Sequence, residues 1–215
     1  FTAFFQSQVL PRHREWHDAV VVRKQQAAFM PALRAAAREQ GLWNLALPAL
    51  APDEPGTQLS NVEFAPLCEL MGSLPWGSEV FNCHAPDVPN MALLQQVANS
   101  EQKQRWLRPL LEGEAKSAFA LTEPDTASSD ATNINTRMER QGDQYIINGR
   151  KSFITGAAHP DCKFVVVVGR SNPEGQRTAQ HSMVIVPMDT PGLRVVRSQR
   201  FMGWEDHVAP IGELE

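Results

Sequence analysis

The apolar residues of this chain change their spacing once, at Gly113, from every third or fourth position to every second. A period near 3.6 lines one face of a helix and a period of 2 lines one face of a strand, so the chain must fold as a helical part followed by a sheet part. Before the switch, "REWHDAVVVRKQQAAF" mixes charges with Ala and Val and runs to Pro31. "PALRAAAREQG" opens on a proline, which suits a first helical turn, and stops at Gly41 as a C′ residue. "GLWNLALPALAPDEPGTQ" is dense in Pro and reads as a loop. Ser60 and Glu63 form a capping box that opens "SNVEFAPLCELMG", closed by Gly72. "NSEQKQRWLRPLLEG" has Asn99 or Ser100 as its cap, Leu107, Leu110 and Leu111 as its apolar stripe and Gly113 as its stop.

After the switch, seven segments alternate: "KSAFALT", "INTRMERQ", "DQYIING", "RKSFITG", "KFVVVVG", "HSMVIVP" and "LRVVRSQ". Turn signals separate them, among them Gln141-Gly142-Asp143, Asn148-Gly149 and Thr190-Pro191-Gly192. Short strands in succession with no helices between them indicate an antiparallel sandwich or barrel. The expected fold is therefore α+β: an all-α domain over residues 1–114 and an antiparallel β-sandwich or barrel over residues 115–215.

Charge and cysteine content exclude several classes of function. The chain has 20 Lys+Arg against 24 Asp+Glu, with no basic cluster, which argues against a nucleic-acid partner. Cys68, Cys83 and Cys162 are odd in number and contain no C-x-x-C pair, so a reduced, cytoplasmic compartment of bacterial type is expected. No apolar run is long enough to span a membrane, and no signal peptide is readable at the start. The chain opens on Phe1 and ends within "PIGELE", so both ends are expected to be cut from something longer. His13 and His17 share a helix face, but no third ligand accompanies them and no metal is expected. G-x-S-x-G, Walker A and G-x-G-x-x-G are absent, against hydrolase, P-loop and Rossmann chemistry.

One stretch stands out. In "SAFALTEPDTASSD" (residues 117–130) a short apolar run ends at Thr122-Glu123-Pro124 and continues into small hydroxyl residues, which offer backbone N–H groups with little bulk in the way. In "KSFITG", alternation along a strand puts Phe153 and Thr155 on one face, an aromatic ring beside a hydroxyl.

Taken in order, "EQKQRWLRPLLEGE", "FALTEPDTASSD", "YIINGRKSFITG", "MVIVPMDTPGLRV" and "MGWEDH" resemble the acyl-CoA dehydrogenase family over nearly the whole chain. The "GLWN" and "FNCHAPDVPN" segments and the insertion "SNPEGQRTAQHS" resemble the branch containing family members ten and eleven. The resemblance implies FAD as cofactor and α,β-dehydrogenation of an acyl-CoA thioester as the reaction. It places Leu121 and Thr122 at the flavin's pyrimidine edge, with Phe119 in the same strand, and Ser129 at the pyrophosphate with Ser128 beside it. Ser129 is implied at the substrate as well. Phe153 covers the ring where the family usually has Trp, Ile154 lies beside it, and Thr155 bonds flavin N5. The catalytic carboxylate is implied in a C-terminal helical domain beyond Glu215, so no base is expected here. "FNCHAPDVPNM" is expected to line part of the acyl pocket, and Pro89 departs from a Gly usual in that branch. Electron-transfer flavoprotein as electron acceptor and a homodimer or dimer of dimers are further implications. A flavin monooxygenase or oxidase on the same fold and a non-catalytic acyl-CoA-binding module remain as alternatives.

Overall fold

A computed structural model describes all residues, 1–215, and divides them into two compact units, Phe1–Glu114 and Ala115–Glu215. The first is helical. A continuous helical run over residues 2–22 alternates α, π and 3-10 turns and buries Phe4, Phe5, Val9, Trp16 and Ala19. It stops well short of Pro31: three consecutive β-branched valines end it, and Lys24 takes a left-handed φ of 56°. Met30–Glu39 follows with Pro31 in its first turn, buries Met30, Leu33 and Ala37, and ends before Gly41 at φ 68°. Asn61–Met71 begins at the capping box: the Glu63 N–H donates to Ser60 Oγ and the Ser60 N–H to Glu63 Oε2. Asp87–Val97 is a helix that the spacing alone did not single out. Its Pro89 sits in the first turn, where an N–H has no intrahelical partner to lose.

The last helical run, residues 100–111, starts from Asn99, which caps it reciprocally with Gln102. Its C-terminal carbonyls are taken by side chains from distant loops. Leu110 O accepts from Asn82 Nδ2 (2.8 Å), and Leu111 O accepts from Trp43 Nε1 (2.8 Å) and Asn44 Nδ2 (2.9 Å). Asn82 Nδ2 also donates to Asn44 Oδ1 (2.7 Å). Both asparagines are buried and left-handed, with φ of 50° and 53°, a conformation that asparagine tolerates better than other side chains.

In the second unit eight strands form two sheets. The larger contains β1 (Lys116–Ala120), β2 (Arg137–Gln141), β3 (Gln144–Asn148), β5 (Cys162–Arg170) and β6 (His181–Pro187). The smaller contains β4 (Lys151–Ile154), β7 (Val195–Ser198) and β8 (Gly212–Leu214), in the order β4-β8-β7. The expectation of an entirely antiparallel domain needs correction, because β1 and β2 both run parallel to β5. Successive strands joined by tight turns are antiparallel, but β1 reaches β5 only after the chain has visited the other sheet, so turn signals carry no information on their direction. β8 was not foreseen, being three residues long. β5 is buried from Phe164 to Gly169 on both faces, as a central strand with Val165 and Val167 packed against Ala118, Ala120, Met138 and Ile154.

A buried ion pair joins the two sheets. Glu123, just after β1, receives the Asn135 N–H (2.8 Å), the Thr136 N–H (2.8 Å), the Thr136 hydroxyl (2.6 Å) and Lys151 Nζ of β4 (3.0 Å). Thr136 reaches it past Gly149, where a Cβ would collide with the Thr136 hydroxyl. The two partners move the same way on the pH scale for opposite reasons. Burial raises the Glu123 carboxyl, but the bonds from Thr136, Asn135 and Lys151 outweigh it and hold the group below its ordinary 4.5. Burial pushes the Lys151 ammonium below its ordinary 10.5 against the pull of Glu123.

Asn82→Ala strands the Leu110 carbonyl and Asn44 Oδ1 and puts alanine at a left-handed φ, so it should cost the first unit about 2–4 kcal/mol in urea unfolding followed by far-UV circular dichroism. Glu123→Gln leaves Lys151 buried without its counter-charge and should cost about 3–5 kcal/mol at neutral pH. Because the folded carboxyl titrates below 4.5, its contribution is complete above that value and is lost as pH falls through the folded value. The gap between wild type and Glu123→Gln should therefore narrow on acidification; an undiminished gap in acid would show that the ionised carboxylate is not its source.

Candidate functional site

The same ion pair shapes the end of β1. Beyond Ala120 the chain leaves the ladder, and Lys151 Nζ donates to Leu121 O (2.8 Å). Thr122 is fastened on two sides: the Ser152 N–H donates to Thr122 O (2.9 Å), and the Thr122 hydroxyl donates to Ser152 O. The Thr122 hydroxyl hydrogen is thus spent on β4, and only the oxygen's lone pairs remain to accept. The Thr122 backbone N–H, by contrast, has no partner within the chain.

The hydroxyl-rich loop divides its two serines between structure and availability. Ser128 is buried; its Oγ accepts from the Glu123 N–H (2.8 Å) and donates to Glu123 O (3.3 Å), closing the loop on itself. Ser129 is exposed and its hydroxyl is uncommitted. Asp130 accepts from the Thr132 hydroxyl and N–H and pairs with Arg177 (3.1 Å), which hold its carboxyl below the ordinary range.

Along β4 the simple alternation fails at the residue that matters most. Phe153 has a φ of 57° within a bulge between Lys151 and Ile154, so the strand pleat does not put Phe153 and Thr155 on one face. A left-handed aromatic residue is strained by about 1–3 kcal/mol and persists only when its neighbours over-determine it. Gln199 does so: its Oε1 accepts the Phe153 N–H (2.7 Å), its Nε2 donates to Ser152 Oγ (2.9 Å), and its own N–H is tied to Ile211 O (2.8 Å). Phe153 as a whole is left 57% exposed. Ile154 points the other way, 1% exposed in the core, so only its backbone is available to a ligand. Thr155 is half-buried and its hydroxyl is uncommitted. Phe119 is half-buried in β1 opposite Val166.

Hydrogen bonds therefore bring Leu121, Thr122 and Phe153 together, with Thr155 two residues along the same chain and Ser129 at the far end of the loop that Glu123 anchors. Lys151, Thr136 and Gln199 were not singled out in the sequence, and Glu123 was named there for its place in the loop but not as the partner of a buried lysine. Alternation would place Lys151 on the same face as the exposed Phe153, so its burial came only from the bulge between Lys151 and Ile154 and left no signal in the sequence. Gln199 carried no signal at all, because its role depends on a contact 46 residues away. In the first unit the "FNCHAPDVPNM" segment is tightly packed: Phe81 sits among Phe1, Phe4 and Phe5, His84 Nδ1 is 2.7 Å from Ser78 Oγ, and burial pushes the Cys83 thiol up to about 12. His13 accepts from the Trp76 indole (3.3 Å).

Such a surface suits a flat ligand rich in hydrogen-bond acceptors: an exposed aromatic residue, a free amide N–H and a free hydroxyl. Residues 1–114 match the family profile described as acyl-CoA dehydrogenase, N-terminal domain, and residues 118–215 match acyl-CoA dehydrogenase, middle domain. Probable acyl-CoA dehydrogenase FadE2 of Mycobacterium tuberculosis is 49% identical over 175 residues, 81% of this chain and 42% of that protein. Acyl-CoA dehydrogenase family member 10 of Mus musculus is 43% identical over 215 residues, 98% of this chain and 20% of that protein. A solved acyl-CoA dehydrogenase relative from Mycobacterium abscessus superposes with a TM-score of 0.90 at 44% identity, covering 99% of this chain and 54% of the other. The chain thus spans less than half of each of these two curated relatives. With both units matched in order, the chain belongs to the acyl-CoA dehydrogenase family, as its N-terminal and middle domains.

Proposed function

We propose that this chain forms the FAD-binding part of an enzyme that removes hydrogen from the α and β carbons of an acyl-CoA thioester. The observation that carries this is Phe153, an exposed aromatic residue held in a strained backbone by Gln199, together with a Thr122 N–H, in the residue bonded to neighbouring Ser152, and a Thr155 hydroxyl two positions on, both of which the protein leaves without partners. Strain of that kind is retained where it serves a ligand. The residues fit FAD: the Phe153 ring would offer a stacking face, the Thr122 N–H and the Thr155 hydroxyl would donate to the acceptors of the flavin ring, and Ser129 would hold the pyrophosphate. Phenylalanine keeps the stacking of the family's usual tryptophan but lacks its indole N–H.

FAD, when bound, supplies the hydride-accepting ring. The chain supplies fixed donors that stabilise negative charge where it accumulates, and these cost no reorganisation during reaction. The proton on the α carbon must go to a carboxylate, and Glu123 does not suit that task, being buried, saturated with donors and held below its ordinary pKa. We assign that role to a residue outside residues 1–215. Electron-transfer flavoprotein as acceptor, and self-association, follow from the same family reading.

Titrating the flavin-free protein with FAD should quench flavin fluorescence and perturb the visible bands; an unperturbed spectrum at saturating protein would remove the cofactor assignment. Phe153→Gly relieves the left-handed φ and removes a ring that is mostly exposed, so stability should stay within about 1 kcal/mol of wild type or rise, where a core Phe would cost about 3–5 kcal/mol. The same substitution should weaken FAD binding by about tenfold or more, on an aromatic contact worth about 0.5–1.5 kcal/mol beyond its buried area. Thr155→Val should leave the fold intact and slow flavin reduction by acyl-CoA in the full natural polypeptide by roughly ten- to a hundredfold. An unchanged bleaching rate in stopped flow would take Thr155 out of contact with N5.

A further inference from the structure

Lys151 is 4% exposed, and its burial is not explained by stability alone, since two opposite charges taken out of water gain little over an apolar pair of the same volume. What the ammonium does touch is specific. One contact is Glu123 Oε1 (3.0 Å), whose carboxylate is pinned by Asn135 and Thr136, so the ammonium has a fixed seat. The other is Leu121 O (2.8 Å). A trans peptide is planar, so the carbonyl of Leu121 and the N–H of Thr122 belong to one rigid group and point in opposite directions. A cation on that carbonyl draws electrons through the amide and makes the N–H at its other end a stronger donor. Ser152 holds Thr122 at both its carbonyl and its hydroxyl, so the N–H cannot swing away, and no atom of the chain accepts it.

We propose that Lys151 is a positioning residue for the cofactor: seated on Glu123, it aims and polarises the Leu121–Thr122 peptide so that the Thr122 N–H presents positive charge to the flavin and favours its reduced, more negative state. This rests on FAD as the ligand. It is separable from that assignment, because the polarised amide exists in the flavin-free protein too.

The experiment compares wild type with Lys151→Met, and with Glu123→Gln/Lys151→Met should the single variant fail to fold. Two readouts are taken: the two-electron potential of bound FAD and the 15N shift of the Thr122 amide without flavin. Removing the ammonium should reduce the preference for reduced over oxidised flavin by about tenfold, which lowers the potential by about 30 mV for a two-electron couple. The Thr122 amide shift should move in the flavin-free variant. An unchanged potential with an unmoved Thr122 amide overturns the proposal. If wild type binds no flavin, the FAD assignment fails by itself, and the Thr122 shift still decides whether Lys151 polarises the peptide. If neither variant folds, raising the pH of wild type should move the Thr122 shift as Lys151 loses its proton; a shift without such an inflection counts against the proposal.

Discussion

The buried contact between Glu123 and Lys151 fixes more of the second unit than its size suggests. Its carboxylate gathers the chain entering β2, its ammonium belongs to β4, and its own backbone starts the loop that Ser128 closes. Two sheets, one loop and the exit of β1 are set by a single pair. The pair is viable because nearly every lone pair of the carboxylate is satisfied by Thr136, Asn135 and Lys151, so desolvation is met by short, charge-assisted bonds rather than left standing. A half-satisfied version of this network would be worse than an apolar plug, which makes Thr136 and Gly149 as necessary to it as the charges are.

Around that rigid centre the site spends stability deliberately. Phe153 adopts a backbone conformation that its side chain resists, and the glutamine that enforces it comes from the far end of the unit. The same glutamine holds Ser152, whose backbone holds Thr122. Donors left free and donors that hold the scaffold are therefore different atoms of the same residues: Thr122 gives its hydroxyl to the scaffold and keeps its N–H.

The helical half was readable because its signals are local. Ser60 with Glu63 and Asn99 with Gln102 lie three residues apart and form the caps that their sequence announces. The run from Arg14 toward Pro31 was misjudged at its end, where Val20–Val22 and the left-handed Lys24 stop a helix that composition alone would continue. In the sheet half, strand positions followed from alternation, but the parallel pairing of β1 with β5 is a relation between distant segments and leaves no mark in either. Phe153 and Thr155 are singled out by their resemblance to a family motif and by a strand pleat meant to align them, and that pleat is broken by the bulge. Ser128 and Ser129 are chemically identical in sequence, and only burial separates the brace from the free hydroxyl.

The parallel union of β1 with β5 has a consequence for how the protein comes to be folded. β1 stays without this neighbour until the whole of β2, β3 and β4 has been made, and the contacts that shape the site span 30 residues for Leu121 with Lys151 and for Thr122 with Ser152, and 46 for Phe153 with Gln199. Contacts of such range are closed late and slowly, since loop entropy must be lost before they reward the chain. A nascent or partly unfolded molecule thus carries its helices and hairpins before it carries any binding surface. A cofactor that binds only the completed surface acts as an inspector of folding, drawing finished molecules out of the pool by mass action.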